Sequence, residues 1–215
     1  MSRLVRIAVF YDGSYFQKVS GYYKFKHRAG RRLSLEGLHN FIRNEVAYIE
    51  DIDRSLCQII EAHYFRGRYT VGDLEARALE EGNPRLVLDH LRNERVFEQV
   101  LTANAITPHY SRIDPRFDKE KGVDVALALE AYDLAVAKRL DVVVLIASDG
   151  DFLPLLRKLA SIGTRVILLY WEFEMEDGGT YVSKALVNEA AYPIAMHKVI
   201  DDPDPKFDIE TLFWE

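Results

Sequence analysis

The chain has 215 residues, a formal net charge of −6, 48% hydrophobic residues and 29% charged residues. That balance fits one large globular domain and excludes a protein that coats nucleic acid through bulk positive charge, though not a local basic groove. No apolar run approaches the roughly 18–20 residues that a bilayer span needs, so no membrane partner is expected.

The N-terminal stretch "MSRLVRIAVFYDG" sets basic residues before an apolar run, as a signal peptide would. The run is short, is broken by Arg6 and lacks a small-residue cleavage site, so it reads as a first strand over 4–11. Residues 17–34 are basic and aromatic and read as an insertion outside the sheet framework. Leu35, Leu38, Phe41, Ile42, Val46 and Ile49 then recur at three- and four-residue spacing, which predicts a helix with one apolar stripe. A strand follows over 56–65. It carries the single cysteine, Cys57, whose strand-interior setting fits a free thiol in a reducing, cytoplasmic compartment.

A helix is predicted over 85–101, opening at Pro84, and a strand over 105–111. Val123, Leu127, Ala131 and Leu134 mark one side of a helix over 123–139. The run "DVVVLIAS" (141–148) is a buried strand, and the next helix, 152–161, tolerates Pro154 because it falls in the first turn. Ser161-Ile162-Gly163 ends that helix, "TRVILLY" (164–170) is another buried strand, and 192–200 reads as an edge strand. Alternating strands and helices predict an α/β fold, a three-layer sandwich with a mainly parallel central sheet over residues 1–200. Residues 201–215 form a tail after "DDPDP".

The chemistry concentrates in four acids. Asp12 ends the first strand, Asp149 and Asp151 follow the strand 141–148, and Asp124 opens the helix 123–139. Ligand sites in open parallel sheets form at the carboxyl ends of the strands, so the four are expected at one edge. Each has a bland reading: Asp12-Gly13 as a turn pair, Asp151 as a helix cap, Asp124 as a first-turn acid. Taken together they repel one another unless a divalent cation joins them, and Mg²⁺ prefers oxygen ligands of this kind. No zinc pattern, phosphate loop, dinucleotide fingerprint or Gly-x-Ser-x-Gly competes.

The blocks "VFYDGSYF", "KGVDVALALEAYDLA" and "LIASDGDFLPLLRKLASIGTRVIL" resemble the three motifs of the NYN domain, the LabA-like branch of the PIN-like nuclease superfamily. The resemblance covers 5–16 and 119–170. It implies a Rossmann-like (PIN-like) sandwich and cleavage of RNA with Mg²⁺ or Mn²⁺. Motif by motif, it implies Asp12, Asp124 and Asp149 as metal ligands, Asp151 as a further ligand or supporting acid, and Ser148 as an accessory polar group. One position departs: where the family reads Asp-Gly-x-Asn, this chain has Tyr15, which removes an amide from the first motif.

Single-stranded RNA would be held through phosphates and stacked bases. In the insertion Lys18, Lys24, Lys26, Arg28, Arg31 and Arg32 interleave with Tyr22, Tyr23 and Phe25, which suits that task or a solvated loop. Arg66 and Arg68 form a second basic patch after the second strand. The tail residues Phe207, Ile209, Leu212, Phe213 and Trp214 are too apolar to hang free, and dock either on the body or on another subunit or protein partner. Two other functions fit the acids: a non-catalytic RNA- or protein-binding module, and a Mg-dependent phosphatase. The phosphatase would want Asp-x-Asp after the first strand, where this chain has Ser14.

Overall fold

The structure, a computed structural model, describes residues 3–114, 116, 119–174 and 178–214. Strand β1 (Val5–Asp12) is the centre of a seven-stranded sheet. On one side lie β2 (Cys57–Arg68), β3 (Thr107–Asp114) and the short β4 (Lys119–Glu120). On the other lie β5 (Val142–Ile146), β6 (Arg165–Tyr170) and β7 (Tyr192–Ala195). Six strands run parallel, and β4 alone pairs antiparallel, Ile113 opposite Glu120. The expected three-layer α/β sandwich is present.

The alternation of strand side chains builds two cores. Ile7, Val9 and Tyr11 of β1 face one layer, made by α1 (Gly13–Phe25), α2 (Leu35–Glu50), the end of α4 (Leu86–Ala103) and α8 (Met196–Ile200). Ala8 and Phe10 face the other, made by α5 (Val123–Lys138), α6 (Leu153–Ser161) and α7 (Lys184–Glu189). Strand β5 is buried along its whole length, because both faces are covered. That double burial is why it reads as an unbroken Val/Leu/Ile run.

Two expectations need correction. Residues 17–34 do not form an insertion, since their first half is the body of α1, whose Tyr15, Phe16, Val19 and Tyr23 pack into the core. Residues 192–200 form a strand only to Ala195 and then turn into α8. A further helix that no sequence pattern marks, α3 (Val71–Glu80), is held by a Thr70/Asp73 capping box and pairs with α4. Cys57 is buried and free on β2, as expected. Among the described residues no helix is long and apolar enough to cross a membrane.

The tail docks on its own chain. Phe213 bridges Leu33, Leu212 and Phe213 are buried, and the Leu212 carbonyl accepts from Ser34 N–H at 2.8 Å. Gly37 makes this approach possible, because a Cβ there would overlap the Thr211 carbonyl. Propensity alone says Gly37→Ala should stabilise α2 by about 1 kcal/mol. The lost docking outweighs that gain, so the variant is expected to unfold at lower urea concentration than the wild type. A higher midpoint would mean the tail does not sit here.

Candidate active site

The strand order turns back at β1 and β5, and the crevice between their carboxyl ends is where such sheets bind ligands. Asp12 closes β1 and caps α1, accepting from Tyr15 N–H at 3.1 Å. Gly13 follows because the first turn of α1 presses on β2. A Cβ there would meet the Tyr64 ring and the Phe65 carbonyl, and Tyr64 Oη donates to the Gly13 carbonyl at 2.8 Å. Across the crevice, Asp149 accepts from Asp151 N–H at 2.9 Å and caps the 3₁₀ turn Gly150–Phe152 that leads into α6. The cap is therefore Asp149, and Asp151 is left as an exposed first-turn acid. Ser148 is partly buried, and its carbonyl accepts from Ser183 N–H at 2.9 Å.

Asp124 lies in the first turn of α5, whose start is set by Gly122 at a φ of 73°, a conformation that suits glycine. A fifth acid joins the four that the sequence singled out. Glu120, on β4, accepts from Ser14 Oγ and from Gly67 N–H. Those two donors hold its carboxylate between the start of α1 and the end of β2. Glu120 stands just before the Lys121-Gly122-Val123-Asp124 motif, which is the one signal that could have found it.

The five charges act on one another. Burial, the largest cause, and then the Asp124 and Glu120 carboxylates push Asp12 up to about 7, against the pull of the Tyr15 and Ser14 N–H groups. Asp124 is raised too, first by burial and then by Asp149, Glu120 and Asp151. The donor set is all carboxylate oxygen, the chemistry that suits a hard divalent cation. Among the described residues no three His, Cys, Asp or Glu side chains are already close enough to hold an ion, so coordination requires rotation of these carboxylates.

Other sequence candidates lie elsewhere. Arg66 pairs with Glu94 at 3.0 Å and Arg68 with Glu98 at 2.8 Å, so acids of α4 neutralise both. Helix α1 carries the basic residues away from the site, with Lys24 about 18 Å along the axis from Asp12. Arg28 pairs with Asp201 at 3.2 Å, and Arg31 with Glu210. Lys24, Lys26 and Arg32 are exposed and have no carboxylate partner among the described residues. The Tyr15 side chain is committed to the core. Its ring is buried, and its hydroxyl donates to the Trp171 carbonyl and accepts from Trp171 N–H at 2.7 Å.

A family model, NYN domain, matches residues 6–197. No curated protein matches the chain. The fold is similar to that of a crystal structure of a protein of unknown function from Vibrio parahaemolyticus, at 18% identity and a TM-score of 0.53, over 91% of this chain and 95% of that one.

The raised Asp12 gives a signed pH dependence. Between its ordinary value of 3.8 and about 7, the folded chain binds a proton that the unfolded chain has released. Stability in EDTA should therefore fall as pH rises through that window and level off above it, with a slope from this group of at most about 1.4 kcal/mol per pH unit. Asp12→Asn keeps the cap acceptor and should remove most of that slope in urea melts. A slope equal to the wild type's would show that Asp12 titrates normally.

Proposed function

The chain belongs to the NYN domain family, within the PIN-like nuclease superfamily, and on that premise we propose that it is a metal-dependent endoribonuclease acting on single-stranded RNA. The observation that carries the reading is the electrostatic coupling of Asp12, Asp124, Asp149, Asp151 and Glu120 at the sheet's switch point. Such a cluster costs stability without a counter-ion, so a structural role alone does not account for it.

In this reading Asp12, Asp124 and Asp149 hold Mg²⁺ or Mn²⁺, with Asp151 and Glu120 as further acids and Ser148 as a polar neighbour. The bound cation would acidify a water molecule and offset charge gathering on the phosphodiester in the transition state. The chain's own part is to place the oxygens. Tyr15 N–H fixes Asp12, Asp151 N–H fixes Asp149, and Ser14 with Gly67 fixes Glu120. With Asp12 raised to about 7, a cation held there would have to displace its proton, so loading would become easier as pH rises toward 7.

A second reading, an RNA-binding module without cleavage, draws support from Tyr15. The position where the family carries an amide is spent on the core through Trp171. Ser14, already donating to Glu120, is no nucleophilic acid, which counts against the phosphatase.

One assay separates these readings. Labelled single-stranded RNA should be cut internally in Mg²⁺ or Mn²⁺ and stay intact in EDTA, and Asp149→Asn should lose activity by about a hundredfold or more. The same variant should lose most of the thermal stabilisation that Mn²⁺ gives the wild type. RNA bound but uncut by the wild type would favour the binding module.

A further inference from the structure

Helix α1 does more than carry Asp12. Between it and α4 lies a groove of about 690 Å³, floored by Phe16, Leu33 and Phe97. Gly21 sits on its wall, in the middle of α1. A Cβ there would meet nothing within 4 Å, so neither packing nor a special backbone angle calls for glycine. An interior helix glycine costs about 1 kcal/mol against alanine. What its bareness secures is open space in the groove.

Some polar groups of this groove are paired with one another, Arg66 with Glu94 at 3.0 Å and Ser20 Oγ with Leu33 N–H at 3.3 Å, and others are not. Gln17 and Asn93 line it with side-chain amides that bond to no other group among the described residues, and His90 Nε2 is shielded from solvent without a hydrogen bond, the Glu94 carboxylate lying 3.9 Å away. At the end remote from Asp12 two aromatic rings stand at the lip. Phe25 is 70% exposed and Trp214 44%, although a chain with a buried alternative normally hides both. Around Phe25 lie Lys24, Lys26 and Arg32, three exposed cations without carboxylate partners among the described residues, with the Arg32 guanidinium 5.6 Å from the Phe25 ring centre. Exposed rings among unpaired cations suit stacked bases and their phosphates better than an apolar peptide, which would leave the charges uncompensated.

We propose that the α1–α4 groove is a base-binding subsite for single-stranded RNA, with unstacked bases meeting Phe25 and Trp214 and their phosphates meeting Lys24, Lys26 and Arg32. This rests on the ribonuclease reading, which it deepens. Continuity supports it, for Gln17 lies one turn past Gly13, and Phe25 about 12 Å further along the same helix. A strand whose phosphate lies at the carboxylates can thus follow α1 away from the cut. Arg66, at the groove's near end, is occupied by Glu94 and contributes shape more than charge.

The test is a titration in EDTA, so that binding is read apart from cleavage. The chain has two tryptophans, of which Trp171 is fully buried, so Trp214 reports the groove. An oligouridylate of about ten nucleotides should quench its emission, and Trp214→Phe should abolish the signal. Gly21→Leu fills the groove and should weaken binding about tenfold or more while melting at or above the wild type. Phe25→Ala, a surface change, should weaken it about fivefold to a hundredfold, and decides the matter if Gly21→Leu misfolds. A duplex of the same length, its bases already stacked, should not give the signal. Wild-type affinity in Phe25→Ala and a well-folded Gly21→Leu, or equal quenching by duplex, overturns the groove and leaves the nuclease standing if the wild type still cuts. Quenching and weakened variants without cleavage in Mn²⁺ support the groove and sink the nuclease. No binding of single strands by the wild type overturns both.

Discussion

Like charges held together against their repulsion are the constraint on which this molecule turns. Asp12 is brought to the crevice by the central strand, Asp149 by its neighbour β5, Asp124 by the helix that follows β4, and Glu120 by β4 itself. Each arrives because a strand end or helix start delivers it. The buried β1–β5 pair fixes their relative height, through the register Tyr11 opposite Ile146. A fold made only for stability would not place acids where burial and neighbours push a carboxyl up to about 7. The arrangement makes sense when a cation or a proton completes it.

Helix α1 links that site to the remainder of the surface. Its first residue packs so tightly on β2 that only glycine fits, and its N-cap is one of the acids. Its end presents Lys24 and Phe25, Lys26 caps it and Arg32 lies in the loop beyond, over which the tail closes, with Trp214 N–H bonded to the Arg32 carbonyl at 3.0 Å. The tail thus completes the groove as well as the core. Pairing separates the basic residues into two kinds. Arg28 and Arg31 are tied to acids of the tail by exposed pairs, which contribute little to stability, while Arg66 and Arg68 are tied to acids of α4, Arg66 to the buried Glu94. Lys24, Lys26 and Arg32 are exposed without a carboxylate partner among the described residues.

Much of this was legible in the sequence where burial is two-sided. Strands β1, β5 and β6 are apolar runs because both faces are covered, and the acids stand where the runs stop. Helix α2 declared itself through a stripe whose Leu35, Leu38, Phe41, Ile42 and Val46 are all buried. Helix α1 was hidden, because Gly13, Ser14, Ser20 and Gly21 are poor helix formers and its tyrosines and lysines imitate a binding loop. Helix α3 buries only Leu74, too little for a periodic signal. Glu120 escaped because a two-residue strand has no period, and the pairing of Arg66 with Glu94 depends on how α4 lies against β2, which no local pattern encodes.

If the acids bind a divalent cation at the expense of the Asp12 proton, calorimetric titration of the metal-free protein with Mn²⁺ in two buffers of different ionisation enthalpy will count the protons released on binding. At pH 6, below the raised Asp12 value of about 7, binding should release close to one proton, and at pH 8.5 close to none. Binding without proton release at pH 6, or no Mn²⁺ binding at either pH, would contradict the account.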